Sequence, residues 1–345
     1  MTKRAYFSLF AMVCILALVA MTVFTGQQAG AETYNWRMQS VFRTPATIDG
    51  LKAFAEKVKE NSGGQINIKV YGANELVKIK ATREAVQSGA IEMANDAGAY
   101  IERVIPEGNI EFGLPFSYRT WEEAWEAWAQ YGLDKLIAEA YAEKGLHMIT
   151  ILPAGDYLLM TTKPVEKVED LKGLKIRAHG MVADIFAAFG ASPTNIPGAE
   201  QYVALQRGTV DGTVYPVFVL EAYKLKEVIK SVNLPGIIAP PTTNIYMNLE
   251  LWNKLPQNLK DAITKARDAV QADMQKRYLA EGKEALDNFA SKHAGKIITL
   301  PDEELKKLRK VAFTEWDKQA AVSPRCKQLI DIMKKFMADK GLSAE

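Results

Sequence analysis

Residues 170–215 read DLKGLKIRAHGMVADIFAAFGASPTNIPGAEQYVALQRGTVDGTVY. Within them an extended run over 174–177 ends on Arg177, and an apolar helical face follows over 182–189. A second extended run covers 192–196, a second helix 199–207, and an alternating strand 210–215. Strand, helix, strand, helix, strand in this order is the mark of an α/β unit. The extended run 157–161 and a turn at Lys163-Pro164 lead into it.

The same order occurs earlier in the chain. Residues 34–38 alternate bulky apolar with polar, and Leu51, Phe54, Ala55 and Val58 then share one helical face. Gly63-Gly64 closes that helix, Ile66, Ile68 and Val70 alternate again, and a helix over 79–87 precedes the apolar run 91–94. This pattern predicts a first lobe built on a parallel sheet with right-handed crossovers. A single helix is expected over 120–144, with Trp121, Trp125 and Trp128 as core packing, followed by a strand over 147–152. Two α/β lobes place the default ligand site in the crevice between them.

Residues 257–293 contain no proline and carry an apolar stripe at Leu259, Ala262, Ile263, Ala266, Val270 and Met274. A helix of that length reaches about 55 Å, enough to brace both lobes. Gly282 is its expected bend or break. A short strand at 296–299 precedes a helix that opens on Asp302, Glu303 and Glu304 and buries Leu305, Leu308, Ala312 and Trp316. A last helix covers 325–340.

The chain has 345 residues, 48% hydrophobic and 24% charged, with two cysteines, which excludes disorder, collagen-like repeats and a disulfide scaffold. Lys3 and Arg4 precede an uncharged apolar run over 5–24, and Ala29-Gly30-Ala31 follows. These are the parts of a secretory signal, with cleavage expected after Ala31 and export as a soluble protein. Beyond it the longest charge-free stretch, 231–249, is broken by Pro235, Pro240 and Pro241 and cannot span a bilayer as a helix. Loss of Lys3 and Arg4 leaves 41 basic against 41 acidic residues, so a nucleic-acid partner is not expected. Loss of Cys14 leaves Cys326 alone, a structural thiol.

No P-loop, G-x-G-x-x-G, H-E-x-x-H, C-x-x-C or G-x-S-x-G motif occurs. His147, His179 and His293 are far apart and read as structural or solvated. Arg177 is the notable group. At the end of a second-lobe strand it either grips a carboxylate through two parallel hydrogen bonds or lies solvated at the strand end.

The runs 170–177, Gly190-Ala191-Ser192-Pro193 and 200–212 together resemble the periplasmic solute-binding subunits of TRAP transporters, the DctP family. Glu60-Asn61-Ser62-Gly63-Gly64, Leu114-Pro115-Phe116 and residues 251–256 extend the resemblance over nearly all of the chain after residue 31. It implies a two-lobe, periplasmic-binding-protein-like α/β fold, without enzymatic activity, that closes on an organic acid and delivers it to the membrane subunits. Arg177 would hold the carboxylate, with Phe116 among the ligand contacts. The lobes are expected over 32–154 with 241–280, and over 155–240 with 281–345, hinged near 153–157 and 240–244.

Two positions depart from the pattern. Where many members carry an arginine and an asparagine, this chain has Tyr157 and Tyr215. Their flat faces suit a monocarboxylate with an apolar, aromatic or 2-oxo body, or else pack the lobes together. Asp156 would hold a ligand-bridging cation, as in members resembling 2-oxo-acid binders, or pair with Arg177. No other cofactor is implied, and Arg43 is the reserve source of a second cation. The rival readings are a periplasmic enzyme acting on a carboxylic acid and a ligand-presenting partner of a membrane sensor.

Overall fold

A computed structural model describes residues 32–238 and 240–342. The expected signal segment 1–31 lies outside the described residues. The strands are β1 (Tyr34–Ser40), β2 (Ile66–Tyr71), β3 (Met93–Asp96), β4 (Leu146–Pro153), β5 (Tyr157–Thr161), β6 (Lys175–Arg177), β7 (Ser192–Thr194), β8 (Gly212–Pro216), β9 (Ser231–Ile238), β10 (Thr242–Asn248) and β11 (Lys296–Thr299). They form two sheets, one ordered β2-β1-β3-β10-β4 and the other β11-β9-β5-β8-β6-β7.

The all-parallel expectation for the first sheet is corrected. β1 and β3 are parallel, but β10 runs antiparallel between β3 and β4. In the second sheet β6 is parallel to β7 and β8, whereas β5 is antiparallel to β8 and β9. The cause is connectivity. β4 continues into β5 of the other sheet, and β9 continues into β10 of the first, so each crossing inserts a strand against its neighbours. No local periodicity encodes that insertion.

The helix Gln257–His293 has the predicted bounds. It packs on the helix Pro45–Asn61 and on β4, and farther along on the helix Val219–Ala222 and β11. Gln271 fixes it to the first sheet, donating from Nε2 to Thr150 Oγ1 at 2.8 Å and to the Ile151 carbonyl at 2.9 Å. Gly282 neither breaks nor ends it. A Cβ there would lie 3.1 Å from Val217 Cγ1, so glycine allows this close packing.

The single helix expected over 120–144 is two, Trp121–Gln130 and Leu133–Ala142, divided at Gly132, whose φ of 88° interrupts the helical ladder. Trp121 and Trp128 are buried, as core packing requires, and Trp125 stacks on Trp121 at 6.2 Å. Residues 281–345 were expected with the second lobe. The last helix, Pro324–Asp339, instead sets Leu329, Ile330, Met333 and Phe336 into one cluster with Trp128, Leu133, Ile137 and Tyr141 beneath the first sheet. Arg325–Glu143 and Tyr131–Asp339 tie its two ends there. The helix Asp302–Ala320 bridges outward from it and packs on the second-sheet helix Gly180–Ala188.

Candidate ligand site

Arg177 ends β6, in register with Thr213 of β8 and Thr194 of β7, and is 1% exposed. Its Nε donates to the Ile196 carbonyl at 3.0 Å, Nη1 to the Val214 carbonyl at 3.1 Å, and Nη2 to the Tyr100 hydroxyl at 3.2 Å. Its Cζ lies 4.6 Å from the Tyr215 ring centroid, a cation–π contact. Among the described residues no carboxylate pairs with it. A guanidinium has five N–H groups, so one on each terminal nitrogen remains for a further acceptor. A buried cation without an anion is costly, which makes this position exceptional.

Tyr157 and Tyr215 are brought together beside it, ring centroids 5.5 Å apart, both buried. Phe112 meets Tyr157 edge-on at 5.4 Å, and Tyr223 stacks on Tyr215 at 6.3 Å. A Cβ on Gly198 would lie 2.3 Å from the Tyr215 hydroxyl, so the loop after β7 closes on this ring only through glycine. Burial pushes the Tyr223 hydroxyl up to about 12, with Arg43 and Arg177 pulling the other way. Both cations thus act on the same tyrosine. Arg43 itself is exposed and donates from Nη2 to the Ala73 carbonyl at 2.8 Å.

Two expected contacts are placed elsewhere. Phe116, with φ of 65°, turns its ring toward Arg309 of the helix Asp302–Ala320, at 5.5 Å, and its N–H bonds the Ile237 carbonyl. Phe112 rather than Phe116 reaches the tyrosines. Asp156 does not pair with Arg177. It lies just before β5, whose pairing with β9 is irregular at Tyr157. Burial raises the Asp156 carboxyl, and no described group of three His, Cys, Asp or Glu residues stands where it would complete a metal site.

The first sheet supplies the opposing wall. Tyr100, in the short helix Gly98–Ile101 after β3, accepts from Arg177, and its ring meets Phe42 at 6.1 Å and His179 at 5.0 Å. Thr44, Thr47 and Tyr278 form a hydroxyl chain at 2.8 and 3.0 Å, and Phe218 stacks on Tyr278 at 5.2 Å. Between these groups and the paired tyrosines lies a cavity of about 10 Å³, room for one water at most. The cleft is closed. Tyr100, Phe112, Tyr223 and Tyr278 were not foreseen from the sequence. His179, two residues beyond Arg177, carried a usable signal in its spacing.

Residues 43–322 match the family DctP, bacterial extracellular solute-binding protein, family 7. The chain belongs to this family. A similar family member is the monocarboxylate 2-oxoacid-binding periplasmic protein of Nostoc sp., 27% identical over 317 residues that cover 90% of this chain and 85% of that one. A TRAP periplasmic solute-binding protein of Pseudoalteromonas atlantica, solved with bound sodium and pyruvate, is 25% identical with a TM-score of 0.82, covering 89% of this chain and 95% of that one. The apo open structure of a TRAP solute-binding protein of Rhodobacter sphaeroides is 27% identical with a TM-score of 0.72, over 90% of this chain and 100% of that one. This DctP-family chain is therefore nearer in shape to the pyruvate-bound relative than to the open one, in accord with its closed cleft. Family members of this kind are solute receptors, and among the described residues no helix is long and apolar enough to cross a membrane.

Proposed function

We propose that this protein is the exported receptor of a TRAP transporter, and that it captures a small monocarboxylate, of the 2-oxo-acid class, through Arg177. The observation that carries this reading is the buried guanidinium with no carboxylate partner and one unused N–H on each terminal nitrogen. Those two N–H groups match the two oxygens of a carboxylate. Tyr157, Tyr215 and Tyr100 enclose it with flat walls and hydroxyl tips, which favours a small body over a polyhydroxylated sugar acid. The 2-oxo-acid specificity named for the Nostoc relative and the pyruvate bound by the Pseudoalteromonas relative agree with that chemistry.

The lobes hinge where β4 passes into β5 and β9 into β10, with the helix Pro324–Asp339 moving with the first lobe. Residues 1–31 direct export and are removed after Ala31, the mature chain acts in the periplasm on the membrane subunits, and it leaves its ligand chemically unchanged. Asp156 contributes to a bridging cation only if the cleft rearranges around the ligand. A thermal-shift and calorimetric screen of pyruvate, branched 2-oxo acids, succinate and glucuronate tests the reading, run with and without chelator. Binding of 2-oxo acids that is lost in Arg177→Ala supports it. A preference for succinate or glucuronate overturns it, and loss of pyruvate binding with chelator assigns the carboxylate a cation-mediated grip.

A further inference from the structure

His179 lies two residues beyond Arg177, as the N-terminal cap of the helix Gly180–Ala188. Its backbone is extended, φ −133° and ψ 159°, so side-chain alternation continues past β6 and returns the imidazole to the face occupied by Arg177. The two side chains converge on one residue. Arg177 donates to the Tyr100 hydroxyl at 3.2 Å, and the His179 ring meets the Tyr100 ring edge-on at 5.0 Å.

The imidazole does no capping work, since it accepts no hydrogen bond from the helix it precedes. Its Nε2 is buried and has no hydrogen-bond partner. A buried polar atom left unpaired costs free energy that a fold ordinarily avoids, and one facing a candidate ligand site calls for a partner there. Burial, and then the Arg177 charge, drive its pKa well below the usual histidine range, so the ring is neutral at physiological pH. A neutral imidazole with hydrogen on Nε2 is a donor that adds no second charge beside the guanidinium.

We infer that His179 is a specificity-determining residue of the ligand site, donating from Nε2 to an oxygen on the carbon next to the carboxylate that Arg177 holds. The inference rests on the carboxylate reading of Arg177 and adds the group that tells a 2-oxo acid from a plain alkanoate. A site with a buried donor discriminates against the analogue that lacks the matching acceptor.

Isothermal calorimetry with pyruvate and propionate, which differ in that one oxygen, provides the test. The wild-type protein is expected to prefer pyruvate. In His179→Phe the pyruvate-to-propionate affinity ratio should fall about tenfold, the effect of one net hydrogen bond, and His179→Gln should recover part of it through its amide donor. Arg177→Ala should weaken both acids and so separates the two roles. In the unsubstituted protein the Nε2 nitrogen resonance of His179 should move on adding pyruvate and stay in place with propionate, a readout that needs no variant to fold. A ratio unchanged in His179→Phe, or a resonance indifferent to pyruvate, overturns the role of His179 while leaving the carboxylate reading intact. Wild-type protein that binds neither acid overturns the carboxylate reading and this inference with it.

Discussion

Arg177 concentrates the residue-scale argument, because its environment is complete in every respect except an anion. Replacing it with alanine removes both remaining N–H groups, and a ligand carboxylate enclosed in the closed cleft then has no partner. Calorimetry with pyruvate should register a loss of about 2 to 5 kcal/mol. Arg177→Lys should recover little, since a single ammonium cannot hold the Ile196 and Val214 carbonyls and still present two parallel donors. Wild-type affinity in Arg177→Ala would remove this residue from the site. The resemblance in the sequence singled out Arg177, Tyr157 and Tyr215, and they come together here because they lie near strand ends of one sheet. Tyr100 and Phe112 were not, because they reach the site from the other sheet, and nothing local to residues 98–112 records what packs against them.

At the scale of elements, the close approach of Gly98 and Gly108 positions Tyr100. A Cβ on Gly98 would lie 2.3 Å from the Gly108 carbonyl and 2.6 Å from Glu111 Oε2. Gly98→Ala must therefore push these short helices apart, at a cost of about 1 to 3 kcal/mol. A lowered Tm together with weaker pyruvate binding is expected, and an unchanged Tm would refute the packing argument. Glu111 itself is held in a buried polar knot, where Tyr141 donates to it at 2.5 Å and the Asn244 amide at 2.9 and 3.0 Å. Burial raises its pKa to about 8, against the lowering effect of those donors, and nearby Asp96, bonded by Tyr246 and with Arg83 as the facing cation, is raised to about 6. A carboxyl raised in this way keeps its proton in the folded state after the unfolded chain has lost it. Stability is then greatest at acid pH and falls as pH rises through the interval up to about 8, by at most about 1.4 kcal/mol per pH unit from this group. By about pH 7, one unit above its own pKa, Asp96 has largely titrated, so between about pH 7 and 8 urea titrations of Glu111→Gln should show a flattened slope. An unaltered slope would mean that Glu111 is ionised in the fold. The long helix was readable to the residue because propensity, an uninterrupted apolar stripe and a preceding proline agree. The break at Gly132 and the antiparallel entry of β5 and β10 were not, since the first depends on how two helices pack and the second on pairing with strands distant in sequence.

For the whole molecule, β4 into β5, β9 into β10 and the helix Gln257–His293 connect the two sheets, and the proposed closure turns about them. Small-angle scattering with saturating pyruvate should give the radius of gyration of this closed form. Tyr100→Phe removes the acceptor that ties Arg177 to the first sheet, so the ligand-free variant should be more open than the ligand-free wild type. Identical ligand-free profiles would show that the hydrogen bond does not hold the closed form. The Tyr100 hydroxyl takes one N–H of Arg177 and leaves one on each terminal nitrogen. A neutral alcohol or sugar can bring only uncharged acceptors to those two N–H groups. A carboxylate offers a charge-assisted bond of roughly twice the strength. Arg177 would thereby sort solutes by charge before their shape is read, with the Tyr100 phenol limiting how many donors a guest can meet.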